Sequence, residues 1–303
     1  MRVGILTNVH PKCGNAEYAR DLCHYLSQLC EVKITDKVAE LLPADAVIIN
    51  HHPSRVALTI EILDKIKFAN AKSIVILQNS YEGEFTSDIV LKMADAVVAH
   101  EPMKGDREVI YIPHGIPIVA DLRQPTIPRI GVAGFAFNWK RFDVTAEVAR
   151  NLGVKCRIVT AQADICDTRN FIQGLVGHLG DLAEISNQWL ETGEVVRMLS
   201  ECTLNIFWYQ SKTSEDEMGQ TGSARLGVAA RRPMIISRHR KFRTLLPYED
   251  EFYIADTEAD VNRMAKEILA NPERAKRPNR VIEEMGWDKT AQQYLDLIER
   301  VTK

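Results

Sequence analysis

Residues 221–237 read TGSARLGVAARRPMIIS. Thr221, Gly222 and Ser223 stand just before a run with helical spacing, and Pro233 leads out of that run into a short apolar strand. Hydroxyls at a helix start accept hydrogen bonds from its first free amides, and a glycine beside them lets those amides approach an anion at the positive end of the helix. Simple capping by Thr or Ser is the plainer account of the same residues. The polar loop in front, SKTSEDEMGQ (211–220), is long for a mere connection and favours a diphosphate ligand. On both sides of this unit, strand and helix alternate. Upstream lie IGVAGF (130–135), the helix RFDVTAEVARNLG (141–153), CRIVTA (156–161), the helix EVVRMLSEC (194–202) and LNIFWY (204–209); FYIAD (252–256) follows.

The first third has the same rhythm. VGILTNV (3–9), CEVKIT (30–35), AVIIN (46–50), SIVILQN (73–79), DAVVAH (95–100) and VIYIP (109–113) are apolar runs without strict alternation, separated by helices such as AEYARDLCHYLSQL (16–29) and a second over 55–70. Such runs suit strands buried on both faces of a parallel sheet. The stretch DLRQPTIPR (121–129), with two prolines, reads as a linker between two doubly wound α/β domains. The tail from Thr257 to Lys303 reads as helical, with breaks at Asn271-Pro272, Arg277-Pro278 and Gly286. This gives an N-terminal domain over 1–122, a C-terminal domain over 123–286 and a last helix over 287–303. Ligands of open α/β sheets bind beyond the carboxyl ends of the strands, so the expected site is the cleft between the domains.

Composition narrows the function. The 303 residues are 46% apolar and 26% charged, as in ordinary globular proteins, which argues against disorder, collagen and coiled coil. With 38 basic and 41 acidic side chains the net charge is −3, so overall charge does not make this a nucleic-acid coat. No apolar run approaches the ~18 residues of a membrane span. Six cysteines without a C-x-x-C pair signal neither a disulfide framework nor zinc and fit reduced thiols in a cytoplasm.

Three further features bear chemistry. Gly14 and Asn15 in HPKCGNAEYAR (10–20) open a helix after the first strand; an ordinary strand-helix turn and a phosphate loop explain them equally, and G-x-G-x-x-G is absent. Lys140 in GFAFNWKRFD (134–143) follows the first strand of the second domain, where an ammonium group neutralises a leaving diphosphate without a metal; on composition alone it is a solvated surface charge. His51 and His52 lie in IINHHPSR (48–55) at a strand end, where an ordinary loop histidine is the plainer account and a hydrogen-bonding or proton-transfer role at a ligand, for one of them and His51 by preference, is the alternative. Arg225, Arg231, Arg232, Arg238, Arg240, Lys241 and Arg243 form a basic stretch without an acid. It reads either as a solvated face with one or two diphosphate contacts, or as a patch for an anionic acceptor. Phe207, Trp208 and Tyr209 read as core.

Four segments, in collinear order over most of the chain, resemble the GT-B glycosyltransferases. TGSARLGVAARRPMIIS is similar to their donor-site helix and following strand. IGVAGFAFNWKRFD looks like their VGR-x4-KG segment, ADAVVAHEPMKGDREVIYIPHGIP like the segment closing their N-terminal domain, and WDKTAQQYLDLIER like their closing helix. The resemblance is to the retaining, family-4-like group that includes glycogen synthases and mannosyltransferases. It implies two Rossmann-like doubly wound domains facing each other across a cleft, with the last helix crossing back to the N-terminal domain. It implies a nucleotide-sugar donor in the second domain, an acceptor in the first, and no cofactor or metal. Carried over by residue, Lys140 binds the donor diphosphate, Thr221, Gly222 and Ser223 face the phosphates, Gly14 and Asn15 form the glycine loop, and Glu217 stands nearest to the first carboxylate of the family's Glu-x7-Glu motif.

The departures are Phe135 in place of the VGR arginine and Leu226 in place of the second glutamate; Arg225 or Arg243 is the expected replacement for the lost positive charge. The acceptor is a saccharide, a lipid-linked molecule or a nucleic acid, and the protein is expected in the cytoplasm, with peripheral membrane contact as an alternative. Rival readings are a sugar-nucleotide epimerase and a catalytically idle relative that binds nucleotide sugar or a protein partner.

Overall fold

The computed structural model describes residues 1–10, 12–52, 56–78, 88–103, 108–162, 168–210 and 221–303. The chain forms two compact units, one made of 1–115 with 285–303, the other essentially of 116–284.

In the first unit the elements are β1 (Arg2–Leu6), α1 (Gly14–Leu26), β2 (Glu31–Thr35), β3 (Ala46–His51), α2 (Ile60–Phe68), β4 (Lys72–Leu77), α3 (Asp88–Met93), β5 (Ala96–Ala99) and β6 (Ile110–Tyr111). The strands make a six-stranded parallel sheet in the order β2-β1-β3-β4-β5-β6. The apolar runs do not alternate because both faces are covered. Along β3, Ala46 and Ile48 join Val3, Tyr18 and Leu22 on one side, while Val47 and Ile49 join Leu6, Leu63 and Ile66 on the other.

The second unit contains β7 (Arg129–Ala133), α4 (Phe142–Leu152), β8 (Lys155–Thr160), α5 (Arg169–Leu179), β9 (Ala183–Asn187), α6 (Thr192–Ser200), β10 (Leu204–Phe207), α7 (Gly222–Ala229), β11 (Met234–Ile236), β12 (Tyr253–Ile254), α8 (Glu258–Ala270) and nearly all of α9 (Arg280–Met285). Its parallel sheet runs β12-β11-β10-β7-β8-β9. Two Rossmann-like α/β units are thus present. In each, the order reverses beside the first strand, between β1 and β3 and between β7 and β10. Crevices for ligands open at such reversals, beyond the strand carboxyl ends.

The last helix, α10 (Trp287–Thr302), belongs to the first unit. Trp287, Tyr294, Leu297 and Ile298 recur at helical spacing and enter the same core cluster as Tyr18 and Leu22, and the Tyr18 and Tyr294 hydroxyls lie 2.9 Å apart. Gly115 has no room for a side chain, since a Cβ there would fall inside the Trp287 indole. No helix among the described residues is long and apolar enough to cross a membrane. Cys13, Cys23, Cys30, Cys156 and Cys202 are free thiols.

Candidate functional site

The reversal in the second unit collects the residues that matter. β7 ends at Ala133, and Gly134 turns the chain at φ +117°, a conformation that favours glycine, with its N–H on the Val159 carbonyl (2.9 Å). A Cβ at Gly134 would come within 2.7 Å of the Ser223 Cβ and 2.8 Å of the Lys140 Nζ. A 3-10 turn over Asn138–Lys140 follows, and Arg141 enters α4 in the left-handed region at φ 49°. Its guanidinium is held by Asp143 (2.9 Å), Glu258 (2.7 Å) and Gln210, while the Gln210 N–H donates to the Trp139 carbonyl (2.9 Å). The segment carrying Lys140 is therefore tied to the end of β10 through backbone and side chain. The glycine of the resembled KG pair is replaced by an arginine that is fastened in a conformation glycine adopts freely.

Lys140 is buried, at 7% exposure, so the solvated surface lysine read from composition is corrected. Short aromatic neighbours wall it in: its Nζ lies 5.3 Å from the Trp139 ring centre, 5.8 Å from Phe137 and 5.9 Å from Tyr209. The ammonium donates to the Ser223 Oγ (3.1 Å), and no carboxylate among the described residues pairs with it. Burial, followed by repulsion from Lys241, lowers its pKa from 10.5 to about 7.

The helix start supplies hydroxyls. Thr221 caps α7, its Oγ1 accepting from the Ala224 N–H (3.4 Å), so the capping account of this residue is correct in itself. The same oxygen lies 3.1 Å from the Ser223 Oγ, and the Tyr209 hydroxyl stands 3.1 Å from both. Tyr209 is buried, which pushes its phenol up to about 12 and keeps it protonated near neutrality. Three hydroxyls in a triangle, one holding a buried ammonium, thus border the first turn of α7, whose leading amides have no intrahelical acceptor. The arrangement suits an anion.

Sequence reasoning passed over Trp139, Tyr209 as a polar group and His239, and took Lys241 only as one member of the basic stretch. The His239 imidazole stacks on Trp139 (6.2 Å, 20° between planes), and the Lys241 Nζ lies 5.0 Å from the same indole. The signal available was an aromatic or imidazole ring within two residues of each lysine, in Trp139-Lys140 and in His239-Arg240-Lys241.

Other expected residues lie elsewhere. The Arg225 guanidinium is buried and donates to the Thr244 Oγ1 (2.6 Å), and Arg232 is buried on the carbonyls of Ser200 and Arg123 (both 2.7 Å). Arg231, Arg238 and Arg243 are exposed, and Arg238 pairs with Asp256 at 3.2 Å. The basic stretch thus divides between interior and surface. Phe135 packs on Phe137 and Trp189. Glu217 lies outside the described residues.

In the first unit, Gly14 opens α1 with open space around it, and the Asn15 carbonyl accepts from the Asn50 side chain (2.8 Å). His51 ends β3 and is buried; its Nδ1–H donates to the Val56 carbonyl (2.7 Å), and burial pushes its pKa down, so the ring is neutral at pH 7. His52 is half-buried and bridges Val56 through its backbone. No group of three or more His, Cys, Asp or Glu among the described residues is placed to hold a metal ion.

No protein-family model matches the chain, and no curated protein matches it by sequence. Solved structures do match it. HepE of Anabaena, solved in complex with UDP-glucose, aligns over 99% of this chain and 100% of its own at 12% identity, with a TM-score of 0.69. A glycosyltransferase from Rickettsia africae aligns over 100% and 98% at 13% identity (TM-score 0.72), and AviGT4, a glycosyltransferase involved in avilamycin A biosynthesis, over 100% and 98% at 11% (TM-score 0.62). At these identities the likeness is one of fold: the chain has the two-unit Rossmann-like architecture of GT-B glycosyltransferases.

Proposed function

We propose that the protein is a glycosyltransferase that takes a sugar from a nucleotide-sugar donor, and that the second unit binds the donor diphosphate at Lys140 and the start of α7. One observation carries this reading. A buried ammonium group without a carboxylate partner among the described residues, beside three hydroxyls and a helix N-terminus, sits where the strand order reverses. Isolated buried charge is costly, and an incoming anion relieves it.

Chemically, the departing nucleoside diphosphate develops negative charge as the glycosidic bond to the sugar breaks. Lys140 and the hydroxyls of Thr221 and Ser223 meet that charge without a divalent cation; Tyr209 holds the two hydroxyls in place. The acceptor belongs to the first unit, where His51 stands at the end of β3. Retention of anomeric configuration follows from the resemblance to the family-4-like enzymes. The fold likeness to HepE, solved with UDP and with UDP-glucose, makes UDP the first nucleotide to try.

The test is a thermal-shift and titration series with UDP, GDP, ADP and their sugar conjugates, with chelator present. A bound nucleotide at 100 times its dissociation constant stabilises by ~2.7 kcal/mol. Lys140→Ala should abolish that shift, and donor hydrolysis with it. Tight binding without any turnover would favour an idle relative, the reading that Leu226 in place of the second glutamate supports; no binding of any nucleotide would overturn the proposal.

A further inference from the structure

We propose that Arg141 is the positioning residue of Lys140: its guanidinium fastens the turn that carries the lysine to the ends of two other strands, and so holds the ammonium group where a phosphate meets it. The inference rests on the reading of Lys140 as a diphosphate ligand and adds a residue that acts only through that lysine.

Arg141 is one of three non-glycine residues at positive φ among the described residues. At φ 49° and ψ 48° it both ends the 3-10 turn Asn138–Lys140 and caps α4. A side chain at such a position crowds the backbone, and glycine is the residue that fits there without cost. The strain persists where the surroundings over-determine the conformation, and here they do. Nε and Nη2 donate to the Asp143 carboxylate (3.1 and 2.9 Å), Nη2 also to Glu258 (2.7 Å), and Nη1 to the Gln210 Oε1. The central carbon of the guanidinium lies 5.5 Å from the Trp208 ring centre. Donors spread over a planar fork serve three acceptors at once, which the single ammonium head of a lysine does not.

The partners stand on separate elements. Asp143 lies in the first turn of α4, Trp208 and Gln210 follow β10, and Glu258 is the first residue of α8, next to the Thr257 cap. Trp208 is buried, and its indole N–H donates to the carbonyl of Ala255, just past β12 (2.9 Å). One side chain therefore joins the segment after β7 to the ends of β10 and β12. Lys140 sits between two fixed points of this segment. The Trp139 carbonyl accepts from the Gln210 N–H (2.9 Å), and the Arg141 N–H donates to the Asn138 carbonyl (3.2 Å). From there the flexible four-carbon stem of Lys140 brings its Nζ to 3.1 Å from the Ser223 Oγ. The place of a charge on such a stem is set by its backbone root, and a small displacement of the root takes the charge off its target.

The experiment is calorimetric titration of UDP into wild type, Arg141→Gly, Arg141→Lys, Glu258→Ala and Lys140→Ala, with thermal midpoints for each. Alongside it, mass spectrometry follows the rate at which an amine-selective acylating reagent labels Lys140 in the ligand-free proteins. Arg141→Gly suits the backbone and removes the fastener; it should weaken UDP about tenfold, the scale of one charge-assisted contact. Arg141→Lys should fall between it and wild type. Glu258→Ala decides the mechanism. By charge alone, loss of a carboxylate near an anion site tightens anion binding. Loss of a partner of Arg141 should instead weaken UDP, by about threefold, with a thermal midpoint close to wild type because the Glu258 carboxylate is exposed. Labelling of Lys140 should quicken by similar factors in both variants, which an arginine that only stabilises the unit would not cause. UDP affinity and Lys140 labelling unchanged in Arg141→Gly and Glu258→Ala, with Lys140→Ala still losing UDP, overturn the role of Arg141 and leave the diphosphate site standing. Tighter UDP in Glu258→Ala overturns it as well. If Arg141→Gly does not fold, Glu258→Ala decides alone. If wild type does not bind UDP, the reading of Lys140 fails, and the inference with it.

Discussion

The two units reverse their strand order at the same topological place and fill it differently. Between β1 and β3, the Asn50 side chain donates to the Thr7 Oγ1 (2.9 Å) and the Asn15 carbonyl (2.8 Å), and accepts from the Gln78 amide (2.6 Å). Every polar atom of that carboxamide has a neutral partner, and the network fixes the entry to α1. Between β7 and β10 the corresponding position holds a buried ammonium bonded to one hydroxyl. A satisfied network holds shape, whereas a charge without a counter-charge has affinity to spare. On the proposed reading, the same fold carries one reversal built to be rigid and one that receives the donor diphosphate.

The sharpest way to break this comparison is Lys140→Met. Removing the charge should weaken UDP about a hundredfold or more, as for other buried charge contacts. It should also stabilise the free protein at neutral and acid pH. The folded pKa of about 7 lies below the unfolded 10.5, so the unfolded chain holds more protons between those values. Stability of the wild type should therefore rise from pH 7 toward 10.5, with the full penalty present below 7, and the methionine variant should lose that slope in thermal melts. Affinity for the anion should run the opposite way, falling as pH rises through the titration of Lys140. A methionine variant that melts lower than wild type at pH 6 would contradict the view of an uncompensated charge.

Asn50→Ala should have the next largest effect, and on stability alone. It strands the Gln78 amide and the Thr7 hydroxyl, costing about 2–3 kcal/mol in a denaturant titration, with UDP affinity unchanged. A large loss of nucleotide affinity would erase the distinction between the reversals. Gly134→Ala sharpens it from the other side. The new methyl meets Ser223 and the Lys140 ammonium at a positive φ, so about 1–3 kcal/mol of strain should accompany weakened UDP binding. Smallest is Thr221→Val, which removes the cap of α7 at about 1 kcal/mol and loosens UDP by a few fold, measured by melting and titration.

Much of the fold was legible. Runs such as Ala46–His51 and Lys72–Leu77 are nearly all buried and read directly as two-sided strands. The edge strand β9 was not, because Ala183–Asn187 is half-exposed and its Glu184 serves an ion pair with Arg129 (2.7 Å) and Arg157 (2.9 Å) instead of a core. α5 was missed because Gly174 and Gly177 interrupt its helical pattern. In the site, the Thr221 cap and the position of Lys140 were visible in local sequence and in the family resemblance. The burial of Lys140 was not, since it depends on Tyr209 and Ser223 arriving from distant segments. Lys241 was lost in a basic stretch whose members turn separately inward and outward, which charge counting does not resolve. His51 read correctly as a strand end, but its turn onto the Val56 carbonyl is a tertiary event.

The placement of α10 bears on how the molecule is made. Trp287 and Tyr294 are core residues of the first unit, yet they are translated after the whole of the second. On the ribosome, residues 1–115 emerge with α1 but not α10 on the Tyr18 side of their sheet, and that core is complete only once Trp287 and Tyr294 have been made. Completion of the first unit's core therefore falls at the end of synthesis, after the whole of the second unit has been made, against the usual N-terminal-first order.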